Sequence, residues 1–124
     1  MIVLDYQDRR PIYEQVTDKF QILILNGVLP PGSQMPSVRQ LATELSVNPN
    51  TIQRAYMELE KLGLIYPVKG RGNFVADNSQ VQKINRESYR KEFTALIQKG
   101  RNTGFNREEL EKMLAETFEK EDEQ

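Results

Sequence analysis

The sequence of 124 residues contains neither cysteine nor histidine, and these two absences exclude zinc sites and the common catalytic arrangements that use Cys or His. Zinc in proteins is bound by Cys or His almost without exception, so no zinc site is expected. Catalytic arrangements in which Ser or Cys is paired with His, or in which Cys acts as the nucleophile, are excluded because both Cys and His are absent. The sequence also lacks a phosphate-binding glycine loop and is too short to add a cofactor domain. We therefore predict that the protein is not an enzyme and binds no cofactor and no metal.

Long hydrophobic runs are missing as well. No stretch reaches the roughly eighteen apolar residues from which a transmembrane helix is predicted. The N-terminus, from Met1 to Asp5, has neither the basic part nor the long apolar part of a signal peptide. The absence of cysteine fits a reducing compartment. These features predict a cytoplasmic protein without a membrane partner.

Neither sign of charge is in large excess, because the formal net charge is −1. Many nucleic-acid-binding proteins are basic, so this total counts mildly against DNA binding. The charge is unevenly spread, however. Residues 1–76 hold eight Lys/Arg and seven Asp/Glu (net +1), whereas residues 77–124 hold nine and eleven (net −2). The local surface matters more than the total for binding DNA, so the N-terminal part stays compatible with it.

What the sequence does have is a series of clear helix signals. Proline, helically spaced apolar residues and glycine predict a first helix over 11–27. The Ser37 to Gln40 spacing of a capping box begins a second helix, over 37–45. Asn48 followed by proline begins a third, over 49–62. The residues predicted to be buried on these helices are Ile12, Val16, Phe20, Leu23, Val38, Leu41, Ala42, Leu45, Ile52, Ala55, Tyr56, Leu59 and Leu62.

A β-hairpin and two more helices are predicted after the third helix. Strands over 64–67 and 73–75 flank a basic, glycine-rich turn, and Tyr66 is expected in the core. A fourth helix over 80–99, a break from Gly100 to Gly104 and a fifth helix from Asn106 follow. The fold class is mainly α with a small β-hairpin wing. We predict a winged helix-turn-helix domain over 1–76 (core 10–76) and a short helical dimerisation region with an acidic tail over 77–124.

The order of three helices, a tight turn and a hairpin is that of a winged helix-turn-helix, which places its third helix in the major groove of DNA. The outer face of that helix is polar: Asn and Gln can pair with adenine, Arg with guanine, and Thr with a thymine methyl or a phosphate. Asn48 is first of all a helix cap, and Glu58 and Lys61 are expected to be merely solvated. Solvation is also an alternative role for Gln53, Arg54, Lys69 and Arg71. The candidate DNA-binding residues are Ser37, Arg39, Asn48, Asn50, Thr51, Gln53, Arg54, Lys69, Gly70 and Arg71.

The last two helices each carry an apolar stripe. Two helices alone cannot cover both stripes, because each helix shields only one side of the other. The first helix and the N-terminal apolar residues could cover part of them. A second copy of the chain completes the packing most simply, which predicts a two-fold homodimer. The candidate dimerisation residues are Phe93, Leu96, Ile97, Leu110, Met113, Leu114 and Phe118.

The run from Leu29 to Ala42, which contains Pro-Gly and then Met-Pro-Ser-Val-Arg-Gln-Leu-Ala, resembles the GntR family of bacterial transcription regulators. Val38 stands where many members have glutamate, and Met35 where they have leucine. The resemblance covers about residues 10–76. It extends at family spacing through Val47, Thr51, Ala55, Leu59 and Gly63 to the wing Gly70-Arg71-Gly72-Asn73-Phe74-Val75.

The short C-terminal part looks like that of the YtrA subfamily. This resemblance implies a dimeric repressor that binds a double-stranded DNA operator, in a subfamily that often controls transporter operons. Arg39 matches an arginine that contacts bases or phosphates, and Gly70 with its basic neighbours matches a wing that reaches the minor groove. Other members often have an arginine at Pro49 and at Gln53, so the base contacts of those arginines cannot be transferred to this chain.

A protein-interaction module without a specific DNA site is the alternative. The slight excess of acidic residues favours it, whereas Arg39, Arg54, Lys69 and Arg71 oppose it. The sequence leaves open the operator and any small-molecule effector.

Overall fold

The computed structural model describes residues 2–122 and contains three helices, a β-hairpin and two further helices. No helix in this range is long and apolar enough to cross a membrane. The elements in chain order are α1 (Ile12–Leu25), α2 (Val38–Leu45), α3 (Pro49–Lys61), β1 (Ile65–Val68), β2 (Gly72–Val75), α4 (Ser79–Thr103) and α5 (Arg107–Asp122). The predicted fold class, a mainly helical chain with a hairpin wing, is confirmed.

One hydrophobic core holds the first three helices together. Helix α1 packs against α3, and the rings of Phe20 and Tyr56 meet edge to face with their centroids 5.8 Å apart. The Tyr56 hydroxyl donates a hydrogen bond of 2.7 Å to the carbonyl of Pro36, and burial raises the pKa of Tyr56. The buried apolar side chains of the core are Ile2, Val16, Phe20, Ile24, Met35, Leu41, Ala42, Ile52, Ala55, Tyr56, Leu59, Leu64, Ile65 and Val75.

The N-terminal segment before α1 contributes to this core, although its sequence shows no regular pattern. Ile2 is buried, and the buried side chain of Gln15 accepts a hydrogen bond of 3.0 Å from the amide of Asp5. Arg10 forms ion pairs with Asp8 and Asp18 and holds the pKa of the Asp8 carboxyl below its usual range. These contacts tie the segment to α1.

Leu62 departs from the predicted buried stripe of the third helix. Its side chain is 44% exposed, because α3 ends at Lys61 and the chain reverses at Gly63, where φ is +76°. This turn carries Leu64 into the core, where it is fully buried. A residue with φ in this region is normally glycine, so Gly63 sets which leucine enters the core.

Tyr66 also departs from the prediction, since it is 43% exposed and not part of the core. Side chains alternate between the two faces of a strand, and its neighbour Ile65 takes the buried face. Tyr66 pairs with Phe74 on the adjacent strand, and the two rings stack with centroids 6.1 Å apart. The strands themselves lie within one residue of their predicted bounds.

The predicted break at Gly100 is wrong, because α4 continues through Gly100 to Thr103. A Cβ built on Gly100 would lie 3.3 Å from Cδ2 of Leu110. A side chain at position 100 would therefore crowd Leu110 of α5, a contact that glycine avoids. The chain turns instead at Gly104, where φ is +110°. The predicted cap of α5 is confirmed, with reciprocal hydrogen bonds between Asn106 and Glu109.

Contacts divide the described residues into two compact units after Gln82, whereas the boundary predicted from the sequence lies at residue 76. The first turn of α4 explains the difference. Val81 packs against the core, and the Gln82 amide donates to the carbonyl of Leu25 at 3.0 Å and to Asn78 at 2.8 Å. The functional division at residue 76 stays a prediction.

Candidate nucleic-acid interface

The N-terminus of α3 begins with a side-chain cap that leaves its first residues at the surface. Oδ1 of Asn48 accepts a hydrogen bond of 2.8 Å from the amide of Asn50, and Pro49 follows at the first helical position. The predicted capping role of Asn48 is confirmed. Asn48 and Asn50 are exposed, whereas Thr51 is half-buried. The helix therefore presents its N-terminal end, where the backbone N–H groups favour phosphate.

The two faces of α3 differ as the helical spacing predicts. The side that carries Ile52 and Leu59 is buried in the core, whereas Asn50, Gln53 and Arg54 are exposed. Within residues 2–122, the side-chain amides of Asn50 and Gln53 form no hydrogen bond, and the bond to Asn48 uses the backbone N–H of Asn50. These amides are free to pair with the edge of a base.

Arg54 has a contact that the sequence does not indicate. Its guanidinium lies 3.8 Å from the ring centroid of Tyr13, and its Nη2 donates a hydrogen bond of 3.2 Å to the Tyr13 hydroxyl. The two residues lie 41 positions apart, on α3 and α1. Because no spacing rule connects residues so far apart, only the folded chain shows this pair.

The N-terminus of α2 places Arg39 at the surface. The Ser37 hydroxyl accepts a hydrogen bond of 3.1 Å from the amide of Gln40, so the predicted cap is confirmed. This bond uses the hydroxyl as an acceptor, and its own proton stays available to a further partner. Ser37 and Arg39 are both exposed.

The wing presents an exposed basic tip. Lys69, Gly70 and Arg71 are exposed, and the amide of Arg71 closes the turn by donating to the carbonyl of Val68 at 2.9 Å. The side chain of Gln34 donates to the carbonyl of Arg71 at 2.8 Å. Backbone hydrogen bonds also join residues 32–35 to β2. The loop that precedes α2 therefore supports the wing, a connection that the sequence analysis missed.

Four exposed cations on α2, α3 and the wing have no anionic partner in the described part of the chain. Among residues 2–122, no ion pair involves Arg39, Arg54, Lys69 or Arg71. Lys61, in contrast, pairs with Glu58 at 3.5 Å, in line with its predicted solvated role. Unpaired Lys and Arg side chains are the groups that neutralise phosphates when a protein binds DNA. The roles of the ten candidate residues in DNA binding stay predictions.

The second unit contains an apolar groove between α4 and α5. In the described part of these two helices no side chain is buried, and Leu96 and Phe118 are each 62% exposed. The groove has a volume of about 610 Å³ and brings together all seven candidate dimerisation residues, namely Phe93, Leu96, Ile97, Leu110, Met113, Leu114 and Phe118. Tyr89 and Phe105 also line it, and the sequence analysis did not include them.

Comparison with known proteins identifies relatives of the chain. The family described as "Bacterial regulatory proteins, gntR family" matches residues 12–75. The HTH-type transcriptional repressor YtrA of Bacillus subtilis (strain 168) is 42% identical over 84 residues. This alignment covers 68% of the chain and 65% of YtrA, which is less than two thirds of that relative.

Two solved structures resemble the fold. A GntR family transcriptional regulator from Listeria monocytogenes superimposes with a TM-score of 0.72 at 33% identity, over 91% of this chain and 98% of the other. AraR(DBD), solved in complex with operator ORE1, superimposes with a TM-score of 0.53 at 32% identity, over 60% of this chain and 90% of the other.

Proposed function

The chain belongs to the gntR family of bacterial regulatory proteins, a family of DNA-binding transcriptional regulators, and we propose that it represses transcription as a homodimer on a two-fold operator. The observation that carries the proposal is the exposed outer face of α3, which begins at the cap formed by Asn48. Such a protein meets its operator in the bacterial cytoplasm.

The proposal gives the exposed groups distinct tasks. Asn50 and Gln53 read base edges in the major groove, because their amides can each form two hydrogen bonds to adenine. Arg39 contacts the DNA from the start of α2. Lys69 and Arg71 contact the sugar–phosphate backbone or the minor groove, where contacts position the protein more than they specify a sequence. The similarity to AraR(DBD), whose structure contains an operator, supports this assignment.

The apolar groove of the second unit supports the proposed homodimer. Soluble proteins rarely leave a large contiguous apolar surface uncovered. A second copy placed by a two-fold axis covers each groove with the same residues, which is the usual geometry of a dimer. Two α3 helices related by this axis read half-sites about 10 base pairs apart, or a multiple of that distance. In this proposal residues 1–76 bind the DNA, and residues 77–124 form the dimer interface.

Selection of duplexes from a random library by the purified protein tests the proposed function. We expect an enriched site with two related halves. The same selection with Gln53→Ala is expected to alter the preferred base at one position in each half, whereas Lys69→Ala weakens binding evenly. Weak binding to every duplex, with no enriched site, would overturn the proposal in favour of a protein-interaction module. Genomic fragments selected in the same way identify the regulated genes.

A further inference from the structure

We propose that Tyr13 is a positioning residue for DNA binding, which holds the Arg54 guanidinium beside α1 for an operator phosphate and keeps it from reading a base. The inference rests on the proposed function. It concerns one pair that joins α1 to α3, the half-buried Tyr13 and the exposed Arg54, with the guanidinium 3.8 Å from the ring centroid and Nη2 3.2 Å from the hydroxyl.

Two independent contacts define the position of the guanidinium. The stack uses the negative face of the aromatic ring, and the hydrogen bond to the hydroxyl fixes the rotation of the guanidinium over that face. Tyr13 is itself held, because it packs against the core and its hydroxyl donates to Oε1 of Glu14 at 3.3 Å. Tyr13 is therefore fixed by contacts of its own, whereas the only hydrogen bond of the Arg54 side chain among the described residues is the one to Tyr13.

This anchor draws Arg54 toward the side of α3 that packs against α1. Asn50 and Gln53 have no such restraint within residues 2–122 and keep the outer face of the helix. We expect a base contact by Arg54 on the outer face of α3 to require that it leaves Tyr13 and gives up both interactions. The structure therefore separates the exposed polar residues of α3 into two amides free for bases and one arginine held to the side.

The stacked arginine keeps its capacity to bind phosphate. The Tyr13 ring covers one face of the guanidinium, and one N–H of Nη2 donates to the Tyr13 hydroxyl. The other N–H groups of the guanidinium have no hydrogen-bond partner among residues 2–122 and can donate to phosphate oxygens. No ion pair within the described residues neutralises Arg54. A preplaced arginine also loses less side-chain freedom on binding than a mobile one. A positive charge held beside α3 is thus suited to bind an operator phosphate next to the major groove.

A double-mutant cycle on the full chain tests the inference, with the operator obtained by selection. We expect Arg54→Met to weaken binding evenly across operator variants. It should also reduce the slope of log K against log salt by about 0.9, the value for one phosphate contact. Tyr13→Leu should weaken binding about two- to fivefold, the range of an exposed cation–π contact. Tyr13→Leu added to Arg54→Met should cause no further loss, and Tyr13→Phe should restore most of the affinity.

Lys61→Met is the matched control, since Lys61 is an exposed cation on the same helix that pairs with Glu58. It should leave the salt slope unchanged. A purely structural Tyr13 would lower the melting temperature without changing the slope or the affinity of the folded protein, which would overturn the inference. Additive losses in the double variant, or a changed base preference for Arg54→Met, would also overturn it.

If Tyr13→Leu does not fold, Tyr13→Phe takes its place in the cycle. Its smaller loss of affinity, caused by removal of the hydroxyl bond to Arg54, should disappear in the Arg54→Met background, and a loss that persists there would overturn the inference. The proposed function fails separately, when the parent chain itself selects no site.

Discussion

The two units of the chain are both built from amphipathic helices, yet they bury their apolar residues very differently. In the first unit, up to Gln82, side chains such as Phe20, Ile52 and Leu59 are fully excluded from solvent. In the second, from Lys83 to Asp122, no residue is buried, and Leu96 and Phe118 remain open. The same helical spacing of apolar residues thus produces a core in one unit and an open groove in the other. An apolar stripe shows that a face needs cover, but not which chain covers it.

The largest expected effect tests whether the core of the first unit stabilises that unit by itself. Phe20→Ala removes a fully buried ring that packs on Tyr56 and should lower the free energy of unfolding by about 3–5 kcal/mol. Urea denaturation followed by circular dichroism measures this change. Ile22→Ala is the matched control, because Ile22 lies on α1 but is exposed. Similar losses in both variants would contradict a core confined to the buried face of α1.

Truncation after Gln82 separates the two units. We expect residues 1–82 to fold as a monomer, because the core and the contacts of Val81 and Gln82 are retained. Its affinity for the operator should fall by about 10²–10⁴-fold. In a dimer, binding of one chain to its half-site makes binding of the second chain intramolecular, and the truncated monomer loses this advantage. Light scattering and mobility-shift titration measure both properties. Truncation after Asp77 is the comparison and should give a less stable product. Undiminished operator affinity of residues 1–82 would show that pairing through the second unit is unnecessary.

Arg39→Ala tests the reading surface of the first unit alone. The exposed, unpaired arginine at the start of α2 should contribute about 1–3 kcal/mol to operator binding, whereas folding should be unaffected. A mobility-shift titration measures the affinity, and a thermal melt checks the fold. Lys61→Ala serves as the control, since Lys61 already pairs with Glu58. The assignment of Arg39 would be refuted by equal affinities of the variant and the parent chain.

The smallest expected effect concerns the cap of α5 in the second unit. Asn106→Ala removes the side chain that accepts from the amide of Glu109 at 2.9 Å and should destabilise the helix by about 1 kcal/mol. If α5 is stable only in the dimer, the loss should increase the dimer dissociation constant and leave the melting of residues 1–82 unaffected. Sedimentation at several concentrations measures the dissociation constant. An unchanged constant would show that the dimer does not depend on this end of α5.

Most of the fold could be predicted because its signals are local. Ser37, Asn48 and Asn106 begin helices with side-chain caps that depend on residues two or three positions away, and all three caps are present. The predicted break at Gly100 was wrong, because a glycine near a helix end can either end the helix or lie within it. Only the position of Leu110 in the folded chain shows that it permits a close approach. The predicted burial of Leu62 was wrong as well, because the turn at Gly63 decides whether Leu62 or Leu64 is buried.

The candidate site was predictable as a set of exposed polar residues but not as an arrangement. Helical spacing places Asn50 and Gln53 on the outer face of α3, and both are exposed. The contact of Arg54 with Tyr13 and the support of the wing by Gln34 join residues distant in the sequence. Such contacts depend on the packing of α1 and of the loop before α2, which no local pattern encodes. The contacts with DNA and the dimer interface stay predictions.

The mass of the complex between the full chain and its selected operator tests the central claim most directly. Native mass spectrometry of this complex should show two chains on one duplex, because the open groove of the second unit pairs two reading heads. The complex should remain at two chains when protein is in moderate excess. A complex of one chain per operator, formed at the same affinity, would contradict the account.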